Sequence, residues 1–567
     1  MVPYLIIDDG ASGADNDNPA CFKILDKESG SLWRDSPLEL NIEIIQDGKV
    51  AKAHDYCCKF IKRTGSKMCP AYACRLYPNY DLPGFEELYI SYSLKSYSGE
   101  GDIEEKIEIV NNTSKAIQIK SFTLQWKLKS HFNKTEYLPI PFASHNTKPG
   151  LTLLDNDMEF QSFYEGLLLK QGNDGLVIAR EPSDREPILL GVRCCRDGSI
   201  IYGGIARGVP EDLDCICVYP NKTLDFGVAW YASFKGTAEN GLLKYRLYMK
   251  NHGVGRPAAY SPPINYCAFY EQGEHYQKRD LYHALDYAEE LGCTLLYTDQ
   301  GWETYFGSGI WDEPRLGKLE DFILAARSKG MDVGVLVAMH TIADCMPEDS
   351  KIRDAEGNVL PGDPWHSVGI CPVSHKWQRI AVSRLNRIAK AGVKFFSFDF
   401  YQYTPCFSKS HSHSSPSRRW EHACGLAKIQ ASIKKKNPGL LMEAHDWMNP
   451  GGYHYPMYLF GSGHHERWGF EYMWDPYNDF VLGRLHNLYY CNMAYEKPLY
   501  LHIDLQKDND NCVVFWYIAS TVRHLGVGNY HGLHDDKKKI YQKCISIYRK
   551  YAEYFSDGFF SGSGPMI

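Results

Sequence analysis

The hydrophobic period of this 567-residue chain changes once, near residue 260, and that change limits the fold more than any other feature. Before it, apolar and polar residues alternate in short runs. Residues 38–45 (LELNIEII), 107–110 and 117–128 (IQIKSFTLQWKL) put every second side chain on one face, as strands buried on one side do. Asn111-Asn112-Thr113-Ser114, Asp155-Asn156-Asp157 and Asp197-Gly198 supply turns between such runs. The segment therefore reads as a large antiparallel sandwich. Residues 251–263 (NHGVGRPAAYSPP) are rich in Gly and Pro and read as a linker.

Beyond the linker the pattern becomes strand, then helix. Residues 264–270 are strand-like, and residues 276–291 place Leu281, Ala284, Leu285, Ala288 and Leu291 on one helical stripe that Gly292 stops. Further strands are predicted at 293–298, 332–339 (DVGVLVAM), 393–400, 440–443, 467–473, 499–504 and 527–530, with helices at 319–328, 375–390 and 420–435. The nearly unbroken apolar strands are those of a parallel sheet covered on both faces. About eight such units fit a TIM-type barrel. A doubly wound sheet would want a Gly-rich phosphate turn after its first strand, and Tyr270-Glu271-Gln272-Gly273 is not one. The fold class is thus multidomain β plus α/β: an N-terminal antiparallel β-sandwich over residues 1–255, then a (β/α)8 TIM-type barrel over residues 256–567.

Composition narrows the function classes. A net charge of -7 offers no basic face, so no nucleic-acid partner is expected. The aromatic fraction of 14% suits stacking on sugar rings and suits a large β-rich core equally well. The 18 cysteines form no spaced framework, and no Cys-x-x-Cys occurs, so they read as reduced core residues and no structural zinc is expected. No basic segment followed by a long apolar stretch opens the chain, and no run of ~18 apolar residues occurs, so the expectation is a cytoplasmic protein with no membrane partner. A homo-oligomer is compatible with this composition.

In a barrel of this kind the chemistry lies at the C-terminal strand ends. Read in order, those ends carry Glu271, Asp299 with Trp302, His340, Asp399, Glu443 with Asp446, then Arg467, Glu471 and Asp475, and finally Asp504. So many acids on one rim repel one another with no structural return. Paired carboxylates near aromatic walls are what glycosidic cleavage needs: one attacks the anomeric carbon and the other protonates the departing oxygen. His464-His465-Glu466 reads poorly as a metal set, because adjacent residues on a strand point apart. Residues 408–419 (SKSHSHSSPSRR) read as a polar loop on the rim.

Three motifs resemble the α-galactosidase (melibiase-like) clan of retaining glycoside hydrolases, which also covers α-N-acetylgalactosaminidases. Asp299-Gln300-Gly301-Trp302 is similar to the clan's Asp-Asp-Gly-Trp element, residues 392–399 (GVKFFSFD) resemble its nucleophile strand, and Arg467-Trp468-Gly469-Phe470-Glu471 has its Arg-x-x-x-acid spacing. Their order on successive strands is more specific than any one of them. The preceding sandwich resembles the N-terminal domain of the larger bacterial members.

The resemblance implies a retaining exo-α-glycosidase acting on a terminal α-linked sugar of an oligosaccharide or glycoside, with no cofactor and no metal. Asp399 would be the nucleophile, and Glu471 or Asp475 the proton donor. Asp299, Trp302, Glu443 and Arg467 would bind the sugar, with Trp302 as a wall. Three positions depart from the clan's pattern. Ser397 stands where a Lys is usual, Gln300 replaces the second acid of the Asp-Asp pair, and Glu471 replaces an Asp. A transglycosylase on the same scaffold, and a glycan-binding protein whose inherited barrel has lost catalysis, are the alternatives.

Overall fold

The computed structural model describes residues 5–8, 23–66, 69–96, 101–129, 135–140, 151–154, 159–164, 166–181, 188–205, 216–253, 261, 263–338, 341–342, 346–360, 368–399, 403–444, 493–494, 499–506 and 523–557. They fall into two compact units that meet in sequence at His252 and Gly253. No helix among them is long and apolar enough to cross a membrane.

The first unit is built of antiparallel sheets. Among the described residues, one sheet has nine strands and another seven, with a further three-stranded sheet at the start of the chain. Alternation does what the sequence pattern requires: strand Ile103–Asn111 buries every second residue, and Glu39–Gln46 buries Leu40, Ile42 and Ile44. Turn chemistry agrees. The Asn111 side chain accepts from the Thr113 N–H, and Asp197 accepts from the Ser199 N–H beside Gly198, which has a positive φ. The turn expected at residues 155–157 lies outside the described residues.

One buried carboxylate organises the interior of this unit. Glu105 is fully enclosed and accepts hydrogen bonds from the Tyr92 hydroxyl (2.6 Å), the Trp126 indole N–H (2.7 Å) and the Tyr231 hydroxyl (2.7 Å). Trp126 stacks on Tyr231 at 3.9 Å between ring centroids, and the Arg34 guanidinium lies over the Trp126 ring. Burial pushes the Glu105 pKa up, against the opposing pull of its three donors and of Arg34.

The second unit holds seven described parallel strands. In space they run Leu441–Ala444, Phe395–Asp399, Asp332–Ala338, Leu295–Tyr297, Ile264–Cys267, Arg523–Gly528 and Leu499–Asp504. Among the described strands each pairs with its neighbour in sequence except Leu441–Ala444 and Leu499–Asp504, which end the sheet, and the first pairs with the last, Ile264 opposite Leu525 and Cys267 opposite Gly528. A doubly wound sheet reverses its order part-way and would not join those two. This is the strand order of a (β/α)8 barrel; the strand expected at residues 467–473 lies outside the described residues. Side chains leave each strand on two apolar sides, as a parallel strand covered on both faces requires. Cys267, Leu295, Tyr297, Leu336, Ala338 and Phe395 form one cluster. Ile264, Tyr266, Leu296, Val333, Val335, Val337, Phe396 and Phe398 pack with the helices, including all five residues of the stripe from Leu281 to Leu291.

Two boundaries differ from the sequence expectation. The first strand ends at Cys267 rather than at residue 270, and Phe269–Gln272 is a helical turn that carries Glu271. The last strand is Arg523–Gly528 rather than residues 527–530. Its polar and glycine residues carry no alternation; pairing on both sides makes it a strand.

Removing the Glu105 carboxylate leaves three donors without their acceptor in a dry core and takes a negative charge away from the nearby Arg34. Glu105→Ala is therefore expected to lower unfolding free energy by about 3–5 kcal/mol, and Tyr231→Phe by only about 1–2 kcal/mol. Urea denaturation of both variants checks this, and equal losses would mean that the carboxylate is not the hub.

Candidate active site

The residue that ends the fourth strand is Asp399, opposite Ala338 of the third. Its strand comes from an unbroken apolar run: Phe395, Phe396 and Phe398 are fully buried and Ser397 is 1% exposed. Lys394 precedes the strand and is exposed, so it stands apart from the site and leaves Ser397 in the position where the resemblance expects a lysine. On the fifth strand Glu443 lies in register with Ser397.

Asp299 follows the second strand at the same end of the sheet. It is a non-glycine residue in the left-handed region, with φ 52°, a conformation that persists only where surrounding contacts hold it. Those contacts are visible. Its carboxylate accepts from the Gln300 N–H at 2.7 Å and from the Cys267 thiol of the first strand at 3.3 Å. Gly301 also has a positive φ, and a Cβ there would lie 2.3 Å from the Glu274 carbonyl oxygen. The Arg315 guanidinium then ties the turn down, donating to the carbonyls of Gly301 and Tyr276 and to the Asp312 carboxylate. The motif Asp-Gln-Gly-Trp is thus a tight turn that presents one partly buried acid.

Trp302 corrects an expectation. Its ring is fully buried, its indole N–H donates to the Leu336 carbonyl at 2.8 Å, and it stacks on Trp311 at 6.2 Å. Instead of an open wall for a sugar, it is the core plug that anchors the Asp299 turn to the third strand. The aromatic type suits either role, and only burial separates them.

Glu303 went unnoticed in the sequence because one residue beside a motif carries no periodic signal. Its buried carboxylate accepts from the N–H groups of Gly307 (2.8 Å) and Gly309 (2.5 Å), and so folds residues 304–311 back on themselves. Burial pushes its pKa up to about 7, opposed by those two amides and by the nearby Arg384. Glu271 is structural too. It accepts from the Tyr266 hydroxyl and from the His531 N–H, bridging the first strand to the segment after the last. The loop 408–419, expected as a polar rim, is tied inward: His411 and Ser417 are buried, and Ser417 bonds to the Cys406 backbone in both directions. His340, Asp446, His464, Arg467, Glu471 and Asp475 lie outside the described residues. The described residues therefore place Asp399 and Glu443 on adjacent strands, with Asp299 following a strand of the same sheet beyond the intervening Asp332–Ala338. A groove of about 1010 Å³ runs along helix His375–Ala391 past Arg379, Arg387, Lys390 and Lys436, on the helical layer rather than at the strand ends.

The chain matches no protein-family model and no curated protein by sequence. Solved structures do match it over nearly its whole length. The GH36 α-galactosidase AgaB from Geobacillus stearothermophilus has a TM-score of 0.64 at 13% identity, covering 98% of this chain and 78% of that one. An α-galactosidase from Lactobacillus brevis gives 0.64 at 12% identity, covering 95% and 76%. A variant of the G. stearothermophilus GH36 α-galactosidase AgaA, in complex with raffinose, gives 0.63 at 11%, covering 98% and 79%. The likeness is one of fold, a β-sandwich followed by a TIM barrel.

The position of Glu303 has a consequence for pH. Its folded pKa of about 7 lies above the ordinary 4.5, so the folded state holds the proton more tightly than the unfolded chain. That contribution to stability is complete below the unfolded pKa and is lost as pH rises through the folded one. Stability should fall by at most ~3 kcal/mol between pH 5 and pH 8, and Glu303→Gln should flatten that fall. Parallel pH profiles for the two proteins would show that the carboxyl is not held neutral.

Proposed function

We propose that this chain is a retaining exo-α-glycosidase of the α-galactosidase type, which removes a terminal α-linked sugar by double displacement. The observation that carries the reading is Asp399, an acid ending the fourth parallel strand, with Asp299 just after the second strand and Glu443 on the fifth. The raffinose bound by one structure of similar fold supports an α-linked oligosaccharide as the substrate class.

In this reading Asp399 attacks the anomeric carbon while Glu471 protonates the leaving oxygen, giving a β-linked glycosyl-enzyme. Glu471 then takes a proton from water, which attacks the same carbon and releases an α product. Two carboxylates suffice for both steps, and no cofactor is required. Asp475 is the alternative donor. Asp299, Glu443 and Arg467 orient the hydroxyls, and Trp302 acts through the turn that it anchors. Ser397 and Gln300, each uncharged where the clan has a charge, make the sugar specificity differ from that of an ordinary α-galactosidase.

Asp399→Asn keeps the shape of the side chain and removes its nucleophilicity. Its kcat should fall by orders of magnitude with little change in Tm, and retention of more than about a tenth of wild-type kcat would exclude Asp399 as the nucleophile. The substrate is chosen beforehand from a panel of α-linked nitrophenyl glycosides of galactose, N-acetylgalactosamine and glucose. A protein that binds these sugars and turns over none is a glycan-binding protein instead. Added sugar acceptors diverting product from hydrolysis would identify a transglycosylase.

Glu471→Ala should lose ~100- to 10,000-fold on a glycoside with a poor leaving group and largely spare an activated one. Azide, which needs no general base, should restore its turnover as a glycosyl azide. Rescue in Asp475→Ala instead transfers the acid/base role to Asp475.

A further inference from the structure

Two long connections at the C-terminal side of the sheet, after the third strand and after the fourth, converge on one small cluster. The apolar core there is slight: Ile352, Cys371, Val373 and Cys406, with Leu360 packed against them. So few residues bury too little area to order two loops unaided. Among them stand two thiols and two imidazoles. The ligand atoms of Cys371, Cys406, His411 and His413 all lie within 4.8 Å of one another.

The geometry around each group matches a metal ligand. The Cys406 sulfur and His411 Nδ1 are 3.4 Å apart. A tetrahedral site with Zn–S of ~2.3 Å and Zn–N of ~2.0–2.1 Å separates such atoms by about 3.6 Å. The other nitrogen, His411 Nε2, lies 2.6 Å from the Asp349 carbonyl oxygen, and His413 Nδ1 lies 2.5 Å from the Ser414 carbonyl oxygen. Each ring thus has a backbone acceptor for one N–H and turns its other nitrogen toward the sulfurs, the outer-shell arrangement that metal-binding histidines use. His413 Nε2 is buried and makes no hydrogen bond, a cost that a metal ion would remove. A few hydrogen bonds help to place the loop that carries three of the four residues. The Cys406 N–H donates to Ser417 Oγ at 2.7 Å, the Tyr403 hydroxyl to the Ser417 carbonyl, and the Phe407 N–H to the Arg353 carbonyl.

We propose that Cys371, Cys406, His411 and His413 form a structural zinc site that ties the connection after the third strand to the connection after the fourth. Two soft thiolates and two imidazoles select zinc over magnesium or calcium. Four protein ligands complete a tetrahedron and leave no position for water, so the ion holds structure and takes no part in the reaction. The site holds the loop that leaves the fourth strand, and it is independent of whether the barrel cleaves a glycoside. Binding displaces the proton of each thiol still protonated.

The test uses full-length protein made in zinc-supplemented medium and purified without chelator. Elemental analysis should find one zinc per chain, and exchange with cobalt(II) should give the intense visible bands of a tetrahedral site with thiolate charge transfer. Cys406→Ser and His413→Gln should lose the metal on dialysis against a chelator that leaves it in the wild type, whereas Cys424→Ser should keep it. Circular dichroism shows whether a variant has failed to fold, and the wild-type cobalt spectrum stands without any variant. Three results overturn the proposal: no stoichiometric zinc in the reduced wild type, zinc that both ligand variants retain, or an intact mass lower by two hydrogens that maps to a Cys371–Cys406 disulfide.

Discussion

The pairing of Ile264–Cys267 with Arg523–Gly528 is the contact on which the second unit depends. A parallel sheet with an open edge exposes unpaired backbone groups, and a barrel removes that edge by joining its first strand to its last. Gly528 sits at this join, where a Cβ would meet the Cys267 carbonyl oxygen at 2.7 Å and the Tyr270 ring at 2.6 Å. Glu271 and the Tyr266 hydroxyl then clasp Tyr530 and His531 across the same join. Once the first and last strands are side by side, every strand points the same way. The acids that follow the strands are thereby collected at one end.

Crowding acids at one rim requires support from below. The turn from Asp299 to Trp302 shows how it is supplied: a left-handed aspartate, a glycine against a backbone carbonyl, an arginine on two carbonyls and a buried tryptophan under the whole. None of these groups except the acid needs to touch a ligand. They fix where the acid stands, and such preorganisation is what makes a carboxylate useful in a transition state. Glu303 belongs to the same support, a buried carboxyl that spends its hydrogen-bonding capacity on the backbone of its own loop.

The Cys and His cluster shows a different limit of reading along the chain. Its ligands are separated by 35 positions between Cys371 and Cys406, and no Cys-x-x-Cys spacing advertises them. A search for closely spaced pairs passes over it, because the two halves come from different connections of the barrel. The polar run 408–419 looks like a solvated rim for a related reason. Ser and His carry no hydrophobic signal, yet here Ser417 and His411 are inside.

What the sequence determined by itself was everything that repeats. Period two in the first 250 residues, and the stripe of Leu281, Ala284, Leu285, Ala288 and Leu291 with Gly292 as its stop, are local consequences of backbone geometry, and the helix at Leu319–Ser328 and the strand at Leu499–Asp504 follow residue for residue. The order of Asp299, Asp399 and Glu443 along the strands was legible too, because parallel strands convert order in sequence into position at one end of a sheet. Tertiary structure alone decided what single residues do. Trp302 is a plug rather than a wall, Arg523–Gly528 is a strand despite its polar residues, and Glu303 is a buried clamp. Burial and pairing partners are properties of what lies across the fold, and a one-dimensional pattern does not contain them.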